Sequence, residues 1–181
     1  VRTVAVPRMQ TTASLWYLGF DSELFYVGDS GSTEIGPPSR RVGFEFTNYY
    51  RVKPWVTLDL DVSFSRARFL ETAAGADRVP GALNRVITGG IAIEPPERGA
   101  GPVGSFRLRH FGPRPLVEDG AIHSSPTTIL NGEAGYKFNN RFRLVLEGFN
   151  LLDARVSDIE YYYASRLPGE PRSEEHTSEL Q

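Results

Sequence analysis

Apolar and polar side chains alternate with a period of two along most of this chain, and few folds accommodate that pattern. In residues 55–69, Val56, Leu58, Leu60, Val62 and Phe64 point to one face of an extended chain. Thr57, Asp59, Asp61, Ser63 and Ser65 point to the other. A helix would mix the two sets around its circumference, so the segment reads as a strand. Residues 41–51 repeat the pattern, with Val42, Phe44, Phe46 and Tyr50 alternating with Gly43, Glu45, Thr47 and Tyr49. Upstream, Trp16, Leu18, Phe20, Leu24 and Tyr26 alternate with Tyr17, Gly19, Asp21, Glu23 and Phe25, which predicts one long strand. Weaker alternation predicts strands at 2–6, 83–93, 103–111, 127–138 and 141–151, which makes eight named segments, and the barrel portion is put at about nine strands.

Composition narrows the class. The chain has 181 residues, 40% of them hydrophobic and 23% charged, enough for one domain with a core. Its longest apolar run, residues 15–20, is far short of the roughly 18 residues that a membrane helix needs. With no cysteine there is no disulfide framework and no thiolate site. A net charge of −2 does not suggest a nucleic-acid partner. The 18 glycines and 13 prolines, spread throughout, predict many turns.

The connections alternate in length. Short ones fall at 7–12, 52–54, 95–102 and 139–140, and long ones at 28–40, 70–82 and 112–126, with 153–171 after the last strand. That puts all the long loops at one end of an up-and-down sheet, as in outer-membrane barrels with short periplasmic turns and long external loops. A soluble β-sandwich also alternates in polarity, but its turns need not alternate in length. The expected fold is all-β: part of an antiparallel, up-and-down transmembrane β-barrel. Aromatics near strand ends (Trp16, Tyr26, Tyr50, Trp55, Phe69, Tyr136, Phe138 and Phe142) would suit interfacial girdles.

Three stretches carry a family resemblance. Arg41-Val-Gly-Phe-Glu-Phe-Thr-Asn-Tyr-Tyr-Arg-Val-Lys-Pro-Trp-Val-Thr-Leu-Asp-Leu-Asp61 has a G-x-E strand, a short turn and a W-x-T-L-D strand. Phe149-Asn-Leu-Leu-Asp153 is similar to an F-N-L-F-D signature. Asp158-Ile-Glu-Tyr-Tyr-Tyr-Ala-Ser-Arg-Leu-Pro-Gly-Glu170 looks like a last external loop. Together they resemble the C-terminal barrel of TonB-dependent outer-membrane receptors, over residues 1–171. The resemblance implies an outer-membrane transporter, not an enzyme, that takes up a scarce ligand such as a ferric siderophore. TonB would energise it through an N-terminal region. The implied partners are outer-membrane lipid, TonB and a small chelate, with no nucleic acid and no cofactor, and the intact protein would be a monomer. The family's plug, TonB-contacting box and first and last barrel strands have no counterpart here, so the chain is expected to be a fragment. About nine strands plus a closing one would fit the tail of a roughly 22-stranded plugged barrel. Residues 172–181 resemble a translated sequencing adapter at every position and are set aside as a non-native tail. Without them one Arg and three Glu drop out of 20 basic and 22 acidic residues, leaving a neutral balance.

Candidate site residues follow from the barrel reading. Glu45, Asp59, Asp61, Arg107, Arg109, Glu133, Lys137, Arg143 and Glu147 would face the lumen, which tolerates charge. They suit either a salt-bridged wall or the attraction of an anionic ligand. Tyr161, Tyr162, Tyr163 and Arg166 are external-loop ligand candidates.

Other motifs are weaker. Asp59 and Asp61 stand two strand steps apart, about 7 Å. That suits an inverting glycosidase, but any alternate pair on a strand does so too. Gly99–Gly104 matches G-x-G-x-x-G, but Pro95-Pro96 precede it and a predicted strand follows, so it reads as a turn. His110 reads as packing. His123, with no second His nearby, makes a poor metal site. Ser124-Ser125 show no triad spacing. The alternatives to a receptor are a passive outer-membrane porin and a soluble β-rich carbohydrate-active module.

An open sheet has two unpaired edges, and this one would have an apolar outer face. Residues 1–171 are therefore expected to aggregate without detergent on size-exclusion chromatography. A monodisperse, folded, detergent-free sample would contradict this.

Overall fold

The computed structural model describes residues 1–3, 6–27, 31–73, 75–96, 99–156, 160 and 162. Ten strands and no helix occur among them: β1 (Arg2–Thr3), β2 (Met9–Phe20), β3 (Leu24–Val27), β4 (Ser32–Ile35), β5 (Ser39–Lys53), β6 (Val56–Phe69), β7 (Arg85–Ile93), β8 (Gly101–Phe111), β9 (Thr127–Lys137) and β10 (Arg143–Gly148). Eight form one sheet in the order β1-β2-β5-β6-β7-β8-β9-β10, and every neighbouring pair is antiparallel. The chain meanders up and down without a crossover, apart from the separate hairpin β3–β4 between β2 and β5.

The described sheet thus has eight strands, against an expected count of about nine. The long strand predicted over 16–26 is two elements, since β2 ends at Phe20 and β3 begins at Leu24. Asp21 and Ser22, residue types common in turns, lie in the break. The break skips three residues, so the even-numbered apolar phase survives it and hides the bend from a periodicity argument. β2 also starts earlier than expected, at Met9, after a turn in which Arg8 takes a φ of 64°.

Connection lengths alternate as expected. Residues 4–8, 54–55, 94–100 and 138–142 make the short turns, and 21–38, 70–84 and 112–126 the long loops. The long loops all lie at one end of the sheet and are tied together there by backbone. Arg78 N–H donates to Glu118 O at 2.9 Å, Gly81 N–H to Pro115 O at 2.8 Å, and Leu70 N–H to Pro38 O at 2.8 Å. Salt bridges from Arg68 to Asp77 and from Arg41 to Glu23 clamp two loops to their strands. Phe69, Val79 and Leu116 are buried at this end, which makes a small packed core.

Register sorts the side chains onto two faces, since antiparallel Cα partners point the same way. One face carries Leu15–Phe44–Phe64, Ala13–Phe46–Val62–Ile87 and Leu60–Gly89–Leu108–Leu130 as cross-strand rows. It is exposed: Leu15 is 84%, Leu146 79% and Phe106 54% accessible. An uncovered apolar surface of this extent marks a contact face.

Of the aromatics expected near strand ends, those by the short turns gather at one end of the sheet. Trp55, Phe138 and Phe142 lie in short turns, and Tyr50 and Tyr136 sit at that end of the apolar face. The rings of Tyr136 and Phe138 are 5.0 Å apart and those of Phe138 and Phe142 5.3 Å. Trp16 and Phe69 instead lie on the opposite, charged face, where Trp16 covers Gly43 and Phe69 is buried under the loops. Tyr26 is in the hairpin, off the sheet.

Residues 149–153 are explained by local hydrogen bonding. Asn150 has a φ of 49°, a conformation that Asn tolerates better than most residues. Its N–H donates to Asn131 Oδ1 at 2.9 Å, and its side-chain amide both donates to and accepts from the Ala154 backbone. Leu151 then folds back over the paired glycines Gly132 and Gly148. Asn150→Ala is expected to lower stability by about 1–3 kcal/mol, through lost hydrogen bonds and a strained backbone. Asn150→Gly should cost less, because glycine keeps the turn conformation. Urea midpoints of the detergent-folded chain check both.

Candidate functional site

The candidate surface is the face opposite the apolar one. All nine charged candidates share it. Glu45 pairs with Ser63, Asp61 with Thr47 and Thr88, and Asp59 with Gly90, while Arg107 pairs with Gly90 and Asn131. Glu133 stands opposite Ser105 and Glu147, and Lys137 opposite Arg143. Strand periodicity puts Arg109 on the same side as Arg107.

The best-defined contact joins two non-adjacent strands. Arg107 on β8 reaches across β7 to Asp59 on β6, with Nη2–Oδ1 at 3.0 Å and Nη1–Oδ2 at 3.2 Å. This fork-to-fork geometry is the strong form of an Arg–carboxylate pair. The strand between them contributes Gly90 at that row. A Cβ there would lie 3.0 Å from Asp59 Oδ1 and 3.4 Å from Arg107 Nη2, so the pair closes over a position without a side chain. Gly90 was not among the candidates from sequence. Its signal was the Gly89-Gly90 doublet inside a strand, a usual mark of close approach.

Nearer the short turns, Arg143 joins Glu133 at 3.3 Å and Glu94 at 3.4 Å, and Lys137 Nζ donates to Pro96 O at 3.4 Å. This end of the face is a wall of paired charges. Glu45, Asp61, Glu147 and Arg109 stand on the face outside these contacts.

At the loop end a cavity of about 330 Å³ opens between the tips of β8 and β9 and the 112–126 loop. Arg109, Phe111 and Ile129 line it from the strands, and Arg114, Ser124 and Ser125 from the loop. Ser124 is buried; its Oγ accepts the Arg114 N–H at 2.9 Å, and its own N–H donates to Arg114 O at 2.8 Å. Ser125 N–H donates to Glu160 at 3.3 Å. Sequence reasoning missed Arg114, which sits in a Gly-Pro-Arg-Pro stretch with no periodicity to flag it.

The remaining motifs fall out as follows. His110 Nδ1 lies 2.9 Å from Thr128 Oγ1, its cross-strand neighbour. His123 forms a β-bridge with Pro115 in the loop. Gly101 opens β8, so the glycine-rich stretch leads into a strand. Among the described residues no three His, Asp or Glu side chains group closely enough to hold a metal ion. Of the external-loop candidates, Tyr162 is half-buried, and Tyr161, Tyr163 and Arg166 lie outside the described residues.

No protein-family model and no characterised protein sequence matches the chain. Among solved structures, the chain is similar to the ferric-catecholate import receptor Fiu of E. coli K12 in its closed form, with a TM-score of 0.62 and 17% identity. The match covers 87% of this chain and 22% of the receptor's, so the chain spans about a fifth of that protein's length. The fold is similar to that of part of the receptor's β-barrel. At this identity the likeness concerns the fold, and it agrees with the sheet order, the loop alternation and the two unlike faces.

The Asp59–Arg107 pair is partly exposed, with Asp59 at 19% and Arg107 at 53% side-chain accessibility. Its coupling energy is expected to be roughly 0.5–1 kcal/mol and to fall with added salt. A double-mutant cycle with Asp59→Asn and Arg107→Gln measures it by urea unfolding in detergent. Introducing Gly90→Val should abolish the coupling. Persistence of the full coupling in that background would show that the glycine is not what lets the pair close.

Proposed function

We propose that this chain is a wall segment of an outer-membrane transporter that takes up a scarce, chelated ligand such as a ferric siderophore. The exposed apolar face meets lipid, and the charged face lines the lumen. The supporting observation is the combination of those two faces with long loops gathered at one end, in a fold similar to that of an import receptor. A sheet that hydrogen-bonds all its interior strands and turns leucine and phenylalanine outward suits hydrocarbon surroundings. TonB would act through a plug region outside these residues and supply the energy. The segment performs no chemistry in this reading. It holds shape, presents charge and anchors external loops, and Tyr161, Tyr162, Tyr163 and Arg166 stay candidates for ligand contact.

Fractionation of cells expressing the protein that carries this chain, followed by iron-chelate uptake with and without TonB, tests the reading. Outer-membrane localisation and uptake that stops without TonB are expected. Uptake independent of TonB would indicate a passive pore, and recovery in the soluble fraction would overturn a membrane role altogether.

A further inference from the structure

Four arginines stand on the otherwise apolar face, all at its long-loop end. Arg40 on β5 is the direct cross-strand partner of Arg68 on β6. Arg66 stands opposite Val42, and Arg85 on β7 opposite Phe64. Arg66 is thus the diagonal neighbour of both Arg40 and Arg85, a separation of about 7–8 Å. Like charges directly opposite one another in a sheet repel. Among the described residues only Arg68 of the four has a carboxylate within ion-pair distance, that of Asp77. Arg40, Arg66 and Arg85 are exposed. Arg85 passes close over Gly112, where a Cβ would stand 3.2 Å from its Nε.

Their height on the sheet is as informative as their charge. The apolar rows run from Met9–Tyr50–Leu58–Ile91, near the short turns, to Leu15–Phe44–Phe64. From Leu58 to Phe64 the strand rises about 20 Å. That is close to the roughly 25 Å apolar band of a membrane barrel. Arg85 lies in the last apolar row, Arg66 one row beyond it, and Arg40 with Arg68 one row further. An arginine is costly in the middle of hydrocarbon and cheap at its boundary. The cluster therefore marks one boundary of the band. Its complement has to be an amphiphile. An acidic protein segment would satisfy the arginines and leave the exposed Leu15, Phe44 and Phe64 beside them uncovered.

We propose that this patch binds the headgroup of a lipid carrying two phosphates, at the long-loop boundary of the apolar face. Guanidinium groups bind phosphate oxygens in a forked geometry. Arg40, Arg66 and Arg85 spread over three rows, a reach that one phosphate does not fill. Phosphates set among them relieve the repulsion, and the acyl chains run down over Tyr17, Leu15, Phe44 and Phe64. The opposite boundary has a different chemistry. There Lys53, paired with Val56 after a bulge, lies over the Trp55 ring at 5.3 Å, beside the aromatics of the short turns. The two boundaries of the face thus suit two unlike lipid leaflets. The proposal rests on the membrane reading of the apolar face and names a lipid class for it, and it is independent of what is transported.

The test uses the full chain folded in neutral dodecyl maltoside micelles, read by native mass spectrometry. The probe is diphosphoryl lipid A, compared with its monophosphoryl form, phosphatidylcholine and inorganic pyrophosphate. Saturable retention of the diphosphoryl lipid is expected, with the monophosphoryl form weaker and phosphatidylcholine not retained. Arg40→Gln and Arg66→Gln should each weaken binding by about fivefold, the contribution of one basic residue at an anionic membrane surface. Arg51→Gln removes the same charge from the opposite face, near the short turns, and should leave binding unchanged. Urea midpoints supply a second readout. Without phosphorylated lipid, Arg40→Gln should unfold at or above the wild-type midpoint, because it relieves the repulsion with Arg68. With diphosphoryl lipid present, the wild-type midpoint should rise above that of the variant. A residue that merely supported the sheet would lower the midpoint in both conditions, and that result would overturn the proposal. So would equal retention of the monophosphoryl lipid or of phosphatidylcholine, an equal effect of Arg51→Gln, or pyrophosphate binding as tightly as the lipid. Outer-membrane localisation and TonB-dependent uptake without lipid selectivity would sink the site and spare the transport reading. Lipid selectivity with TonB-independent uptake would do the opposite.

Discussion

The ladder of antiparallel backbone hydrogen bonds is the constraint on which the rest of this structure depends. It pairs six strands of 9 to 15 residues in unbroken succession from β2 to β9, leaving out only the side hairpin. Because the ladder satisfies the interior N–H and C=O groups, the sheet needs no water on either side. One face can therefore be wholly apolar and open. The same ladder sets the pleat, which sends every second side chain to the opposite face. Over the middle of the sheet apolar and charged side chains are thus separated by one backbone thickness, while Arg66 and Arg68 join the apolar face near the long loops.

Glycine refines that arrangement. A sheet of large side chains permits contact only between adjacent strands. Where a glycine replaces one, a neighbour spreads over the gap. Trp16 lies so closely over Gly43 that a Cβ there would come within 2.3 Å of its ring. Leu151 covers Gly132 and Gly148 on the apolar face, and Asp59 reaches Arg107 over Gly90. Small residues in the strands thus set which long side chains become neighbours, and so which charges are spent on one another.

Much of the fold was legible because alternation is a local property. The strands around Phe44 and Leu58, the short turn at Pro54 and the shared face of Asp59 and Asp61 all follow from a pattern a few residues long. Partnership between strands is not local. Nothing near Arg109 in sequence tells that Thr88 separates it from Asp61, whereas Arg107 has Gly90 at the same place. The β3–β4 hairpin escaped because its break preserved the phase of the alternation. The positions of Trp16 and Phe69 escaped because, near the long loops, the polarity of the two faces is mixed: Arg66 and Arg68 lie on the otherwise apolar face and Trp16, Phe20 and Phe69 on the otherwise charged one, so alternation in hydrophobicity loses its meaning there. The cavity formed by Arg109 and Arg114 needed the loop to fold back onto the strand tips, which only tertiary structure supplies.

The long loops are joined to one another by main-chain bonds, Arg78 to Glu118 and Gly81 to Pro115. A main-chain bond does not depend on which side chain the residue carries. The rim can therefore exchange the side chains that its loops present while the loops keep their places. Such a surface separates the placing of its loops from the chemistry that they display, so side chains at this end can change without rebuilding the strand ends.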